Sequence, residues 1–220
     1  MNYTLKNYLR TLLPVIFVII LLAPGYVFFS SRGGITFLEG ANFQLVARRI
    51  FPLVGLYAFT FLWLQFMLGS SMTPLRNLYP GLIKYHRRQG IFVFLLALLH
   101  PSLIIIGYGL SKFLDSSFLP EELIPFAFLG KVAILLLILT VVTARLSTLK
   151  FFRTKWRAIH YLNYLVFILV WIHSWNIGSD VQSTNLRYLW IFFGVTALTS
   201  LIWRLTRAQI ISKKWQTLPN

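Results

Sequence analysis

The chain contains no cysteine in 220 residues. Disulfides, iron–sulfur clusters, thiolate-ligated haem and covalent C-x-x-C-H haem attachment are therefore excluded, while the compartment is left open. Acidic residues number only five, Glu39, Asp115, Glu121, Glu122 and Asp180, and none falls inside a long apolar run. Charged residues make up 12% of the chain, about half the share of a soluble domain. No G-x-G-x-x-G is present, and about 15 residues follow the last apolar segment, so no flavin or nucleotide fold is expected. Histidine is scarce as well, with four in the whole chain: His86, His100, His160 and His173.

What fills the chain instead is apolar. Hydrophobic residues reach 57% and mean hydropathy is +0.72, which places the chain among membrane proteins. The 20 Phe, 10 Tyr and 7 Trp supply interfacial anchors and flat packing surfaces. A net charge of +16 would suggest nucleic acid in a soluble protein. Here the basic residues sit between apolar runs with no separate basic module, so they read as orienting charges and no nucleic-acid partner is expected.

A spanning helix needs about 20 mostly apolar residues. Six segments qualify: Leu12–Ser30, Ile50–Gly69, His86–Leu110, Ile124–Leu146, Ile159–Asn176 and Leu186–Leu205. The expected fold is all-α and integral to the membrane, a six-helix bundle in one domain over residues 1–220. Lys6 and Arg10 before Leu12–Phe29 resemble a signal peptide, but the apolar stretch is long and lacks a small-x-small cleavage site, so it reads as a retained span. Lys6, Arg10, Arg76, Lys84, Arg87, Arg88, Arg145, Lys150, Arg153, Lys155, Arg157, Arg204, Arg207, Lys213 and Lys214 share one side. All five acids fall on the other. The positive-inside rule then puts both termini in the cytoplasm.

That topology orders the histidines. The third and fifth spans run in the same direction, so His86 and His160 share the inner level and His100 and His173 the outer one. From His86 to His100 is a rise of about 21 Å, and rotation brings the second side chain within about 40° of the first. From His160 to His173 the rise is about 19.5 Å, but the rotation misses by about 140°. A straight helix cannot aim both at one partner, so local overwinding, tilt or fraying at His160 is expected.

Imidazoles alone, at matching depth on parallel helices, suit a large flat group held between two helices with one ligand on each face of its metal. Haem iron with two axial histidines fits; both axial positions are then filled and the iron passes electrons. Arg87, Arg88 and Arg157 near the inner pair, and Arg48 and Arg49 at the outer start of the second span, are candidates to pair the propionates, although the inner three also serve the positive-inside pattern. Phe167, midway between His160 and His173, is a candidate to fill the space between two such groups, or simply packs. Pro101 would bend the third span beside His100.

The stretches H-R-R-Q-G from His86, L-L-H-P ending at Pro101, W-R-x-x-H-Y ending at Tyr161 and W-I-H ending at His173 together resemble the ferric reductase-like transmembrane domain of NADPH oxidases and ferric-chelate reductases. The resemblance covers about residues 50–205. It implies two stacked b-type haems, with His86 paired to His160 and His100 to His173, passing electrons from the cytoplasm to an acceptor on the outer side. It also implies a basic residue of the second helix near the outer haem, at Arg48 or Arg49. Flavin and nucleotide domains of full-length members are lacking here, so a separate donor protein or a quinol is expected. The chain is also similar to the haem-binding membrane subunit of the methionine-sulfoxide reductase system, which lacks a counterpart of His86 and would deliver electrons to a separate periplasmic reductase. A bacterial inner membrane is the expected location. A transporter with a histidine relay and a structural membrane partner stand as the non-redox alternatives; a relay should show more intramembrane acids.

Overall fold

The computed structural model describes residues 3–216, with the side chains of residues 4–206. Residues 1–2 and 217–220, where the expected cytoplasmic termini fall, lie outside the described residues, as do the side chains of Arg207, Lys213 and Lys214. Every regular element among the described residues is helical. Helix α1 spans Tyr3–Ser30, α2 Phe43–Ser70, α3 Met72–Arg76, α4 Leu82–Tyr108 and α5 Leu110–Asp115. Then come α6 at Ile124–Arg145, α7 at Trp156–His160, α8 at Leu162–Ile177, α9 at Ser179–Ser183 and α10 at Leu186–Gln216. Six helical stretches are long and apolar enough to cross a membrane, and they coincide with the six expected segments. The protein is a multi-pass integral membrane protein.

The helices outrun the apolar runs because their ends are set by caps and breakers. Asn42 accepts the amide of Leu45 at 2.9 Å and starts α2 at Phe43 rather than Ile50. Arg48 and Arg49 thus lie inside α2 instead of opening it. Gly109, with φ at 96°, ends α4 in a backbone conformation that favours glycine. The fifth span is not one helix. Tyr161 interrupts it, its amide shared between the carbonyls of Arg157 and Ala158 at 3.2 Å each, and Tyr164 bonds back to Tyr161 at 3.0 Å in the tighter i→i+3 pattern.

Helices α2 and α4 form the most extensive pairing, α6 and α8 the next, and α2 also packs on α8. One antiparallel register runs the length of the first pair. Arg48 faces Gly107, Gly55 faces His100, Gln65 faces Gly90 and Gly69 faces His86. Arg48, Gly55 and Gly69 keep heptad register and Gln65 falls on the intervening four-residue step, which keeps one seam of each helix against the other. Between α2, α8 and α10 lies an aromatic core. Phe59, Trp63, Phe167, Trp190 and Phe193 are buried; Trp63 stacks on Phe193 with centroids 4.4 Å apart, and Phe167 meets Phe59 at 5.4 Å and Phe66 at 4.8 Å. Helix α1 stands at the side against α2, and its Val15, Val18, Ile19 and Leu22 are exposed as a lipid-facing surface should be.

Candidate functional site

The outer level is built from four helices. His100 on α4 and His173 on α8 line one cavity of about 350 Å³ together with residues of α2 and α6. Its walls are largely apolar, with Leu56, Phe59, Leu62, Val93, Ala133, Leu137 and Val166 among them. That volume lies in the range of a small-molecule or cofactor site. Each imidazole is seated on a glycine. A Cβ on Gly55 would lie 2.8 Å from His100 Cε1, and one on Gly130 would lie 2.7 Å from His173 Cε1. Each ring also meets a backbone carbonyl across the helix gap: His100 Nδ1 stands 2.9 Å from Phe51 O, and His173 Nδ1 stands 2.9 Å from Phe126 O. Such a contact fixes the ring and its tautomer, as it does for metal-bound histidines.

The inner level brings His86 and His160 together, with ring centroids 6.5 Å apart and planes at 76°. Two imidazoles on one metal put their centroids roughly 6 Å apart, given metal–nitrogen bonds of about 2.0–2.1 Å. Gly69 sits under His86 as Gly55 does under His100, with a Cβ reaching 3.3 Å from His86 Cε1. The polar partners here are amides. Gln65 Nε2 lies 3.0 Å from the carbonyl of His86 and 3.2 Å from its ring Nε2. Asn163 Nδ2 lies 2.9 Å from the carbonyl of His160 and 3.1 Å from its ring Nδ1.

The rotation problem in the fifth span is met at Tyr161. Tight i→i+3 geometry adds about 20° per residue over an α-helix, so three such residues recover about 60° of the missing 140°. Helix α7 ends at His160 and α8 begins at Leu162, so the remainder does not have to be met within one straight helix. His160 thereby reaches the inner histidine of α4 while His173 shares a cavity with the outer one.

The candidate arginines are placed differently from the histidines. Arg48 donates Nε–H to the carbonyl of Gly107 and covers the ring of Tyr108 at 4.9 Å. Arg49 donates to the carbonyl of Phe37. Neither lines the outer cavity. Arg87, Arg88 and Arg157 are exposed at the inner end, with Arg157 over Trp156 at 5.7 Å. Phe167 does not line the outer cavity; it packs on Phe59 and Phe66 of α2, between the levels of Gly55 and Gly69.

Three charged residues were missed in the sequence, besides the glycine seats and the two amides. Lys131, next to Gly130, lines the cavity and donates to Leu114 O at 2.7 Å and Ser116 Oγ at 2.8 Å. Asp180, also on the wall, forms a two-pronged pair with Arg32 at 2.6 and 3.0 Å. Arg204 donates to the carbonyl of Gly69 at 2.9 Å and covers the rings of Tyr161 and Tyr164 at 5.7 and 6.0 Å. Asp180 and Arg204 looked like ordinary loop or helix-end charges; Lys131, inside the expected span Ile124–Leu146, did carry a signal as a charge within an apolar run. In the loop after α5 the amide of Ser117 donates to Asp115 at 2.9 Å, holding that carboxyl below its usual range. No group of three or more His, Cys, Asp and Glu among the described residues is arranged to hold a metal. The donor set is therefore two pairs of imidazoles. It fits a planar group that supplies its metal's other ligands, and at the outer level the glycine seats and apolar cavity fit such a group's bulk.

Residues 54–171 match the sequence profile of the family described as ferric reductase like transmembrane component. The chain is 26% identical over 198 residues to the protein-methionine-sulfoxide reductase heme-binding subunit MsrQ of Agrobacterium fabrum, covering 88% of this chain and 83% of that protein. No solved structure matches.

Proposed function

The chain belongs to the ferric reductase like transmembrane component family, and from that premise we propose that it is a membrane b-type cytochrome. His100 and His173 hold one haem, His86 and His160 a second, and electrons cross the bilayer through them to an acceptor on the outer side. The observation that carries this is the outer cavity, walled by two histidines of parallel helices whose Nδ1 atoms both face backbone carbonyls. A haem held between two imidazoles would supply one-electron transfer.

The chain's own residues account for the rest. The carbonyls of Phe51 and Phe126 take Nδ1–H of His100 and His173 and would leave Nε2 of each ring free for a metal. Gly55, Gly69 and Gly130 let the rings lie flush against neighbouring helices. Leu56, Phe59, Val93, Leu137 and Val166 keep the outer site dry. Phe59, Phe66 and Phe167 fill the space between the two levels. Lys131 on the cavity wall and Arg204 over Tyr161 and Tyr164 join Arg87 and Arg157 as candidates for the carboxylates of the bound groups; Arg48 and Arg49 hold backbone carbonyls instead. In this reading the donor is a separate protein or a quinol.

The identity with the heme-binding subunit of a protein-methionine-sulfoxide reductase favours a specific form of the same reading. There the acceptor is a separate reductase that docks on the outer face. The histidine-relay alternative is disfavoured because none of the five acids falls within the apolar part of a spanning helix.

The visible spectrum of the purified protein tests the proposal. A low-spin b-type spectrum that dithionite reduces is expected, and a colourless folded protein from haem-replete cells would sink it. His100→Ala and His173→Ala should each remove one haem and leave the other; unchanged stoichiometry in both would break the pairing. The chain alone should show no reduction by NADPH.

A further inference from the structure

The two histidine pairs differ in which ring nitrogen their neighbours leave free. A carbonyl oxygen only accepts, so beside Phe51 O and Phe126 O the Nδ1 atoms of His100 and His173 are the protonated ones. Nε2 of each ring then keeps its lone pair, on the wall of a cavity that both rings line.

At the inner pair the order is reversed. The Gln65 atom that meets the ring of His86 also meets that residue's carbonyl, at 3.0 Å. Facing a carbonyl, it is the amide nitrogen, a donor, and it therefore caps the lone pair of His86 Nε2 at 3.2 Å. Asn163 repeats the arrangement on His160, with 2.9 Å to the carbonyl and 3.1 Å to Nδ1. His160 Nε2 then carries the proton and has no lone pair for a metal. Thr140 Oγ donates to Asn163 Oδ1 at 2.9 Å and holds that amide, while Gly90 leaves room for Gln65, where a Cβ would stand 2.7 Å from the amide nitrogen. The arrangement is poorly satisfied, because His86 Nδ1 and Gln65 Oε1 are both buried with no partner.

We propose that Gln65 and Asn163 are positioning residues that keep the inner histidines capped, so that the outer pair takes haem first and the inner pair takes it only when both amides turn away. This rests on the reading of both pairs as haem ligands. Each displaced amide gives up a hydrogen bond, which makes inner binding about tenfold weaker for each cap than at the same site without that cap. Gln65 and Asn163 touch the ligating rings, not the iron. They set which nitrogen is available and how readily.

The test is a haem titration of the full chain, purified without haem in detergent, followed by the Soret band and by stoichiometry. Wild type should bind in two phases. His100→Ala should abolish the tight phase and His86→Ala the weak one. Gln65→Leu removes one cap. Asn163→Asp puts a carboxylate oxygen against Nδ1, so that Nδ1–H is the favoured tautomer and Nε2 of His160 regains its lone pair. Each should tighten the weak phase about tenfold and leave the tight phase unchanged, which also reports that the variant has folded. A gain from aspartate is not what loss of a merely structural asparagine would give. Two haems bound with equal affinity by wild type, or a weak phase unmoved by both variants, would overturn the proposal and leave the two-haem reading standing. A second haem absent from wild type and both variants would overturn that reading and the proposal with it.

Discussion

Gly130 leaves no room for a methyl group against His173. A Cβ there would stand 2.7 Å from two ring atoms, and one on Gly55 would stand 2.8 Å from His100. Neither glycine has the positive φ that glycine favours, so the constraint is space and not backbone conformation. Gly55→Ala and Gly130→Ala should each push the ring off its carbonyl partner. Loss of the outer haem is expected, with overpacking costing about 1–3 kcal/mol, read as lower haem content with the inner haem retained. Full haem content in both variants would show that the seats are not needed. The histidines were legible in the sequence because all four fell at matching depths in apolar runs. The glycines were not, since what marks them is the residue opposite on another helix.

At the scale of elements, the pairing of α2 with α4 explains why fourteen residues separate His86 from His100. Two heptads return both to the seam that faces Gly69 and Gly55. The thirteen residues between His160 and His173 need a different solution, and α7 and α8 provide it by parting at Tyr161. The rotation rule exposed the mismatch in the sequence, but W-R-A-I-H-Y-L-N-Y contains no proline or glycine to say where the helix would yield. Asn42 is a second element-scale device, capping α2 through Leu45. Asn42→Ala should cost about 1 kcal/mol, visible as a lower thermal midpoint with haem content unchanged. A matching loss of haem would mean that the helix start also holds the site.

Across the whole molecule, Arg32 after α1 reaches Asp180 on α9 and covers the ring of Phe28 at 3.8 Å. Asp180 is buried and Arg32 partly exposed, so Asp180→Asn should destabilise by roughly 2 kcal/mol, below the cost of breaking a fully buried pair. Thermal unfolding compared with Arg32→Gln would check it; two variants with wild-type midpoints would show the tie to be idle. The proposed orientation is testable because the chain has no cysteine of its own. In intact cells, an impermeant thiol reagent should label Glu122→Cys and spare Lys150→Cys, both positions being exposed. The opposite pattern would invert the molecule and with it the direction of electron flow.

The sequence alone determined that six helices cross a membrane, because apolar length is a one-dimensional property. It also determined that four imidazoles lie at two depths, because rise per residue is nearly constant along a helix. Rotation, tautomer and neighbourhood belong to three dimensions. Only the tertiary structure decided that Tyr161 divides the fifth span, that glycines of α2 and α6 seat the rings, and that Arg48 and Arg49 turn to backbone carbonyls instead of the cavity. It alone separates the two pairs, giving the outer histidines carbonyl partners and the inner ones amides. Those contacts depend on which atoms of distant segments come within hydrogen-bond reach.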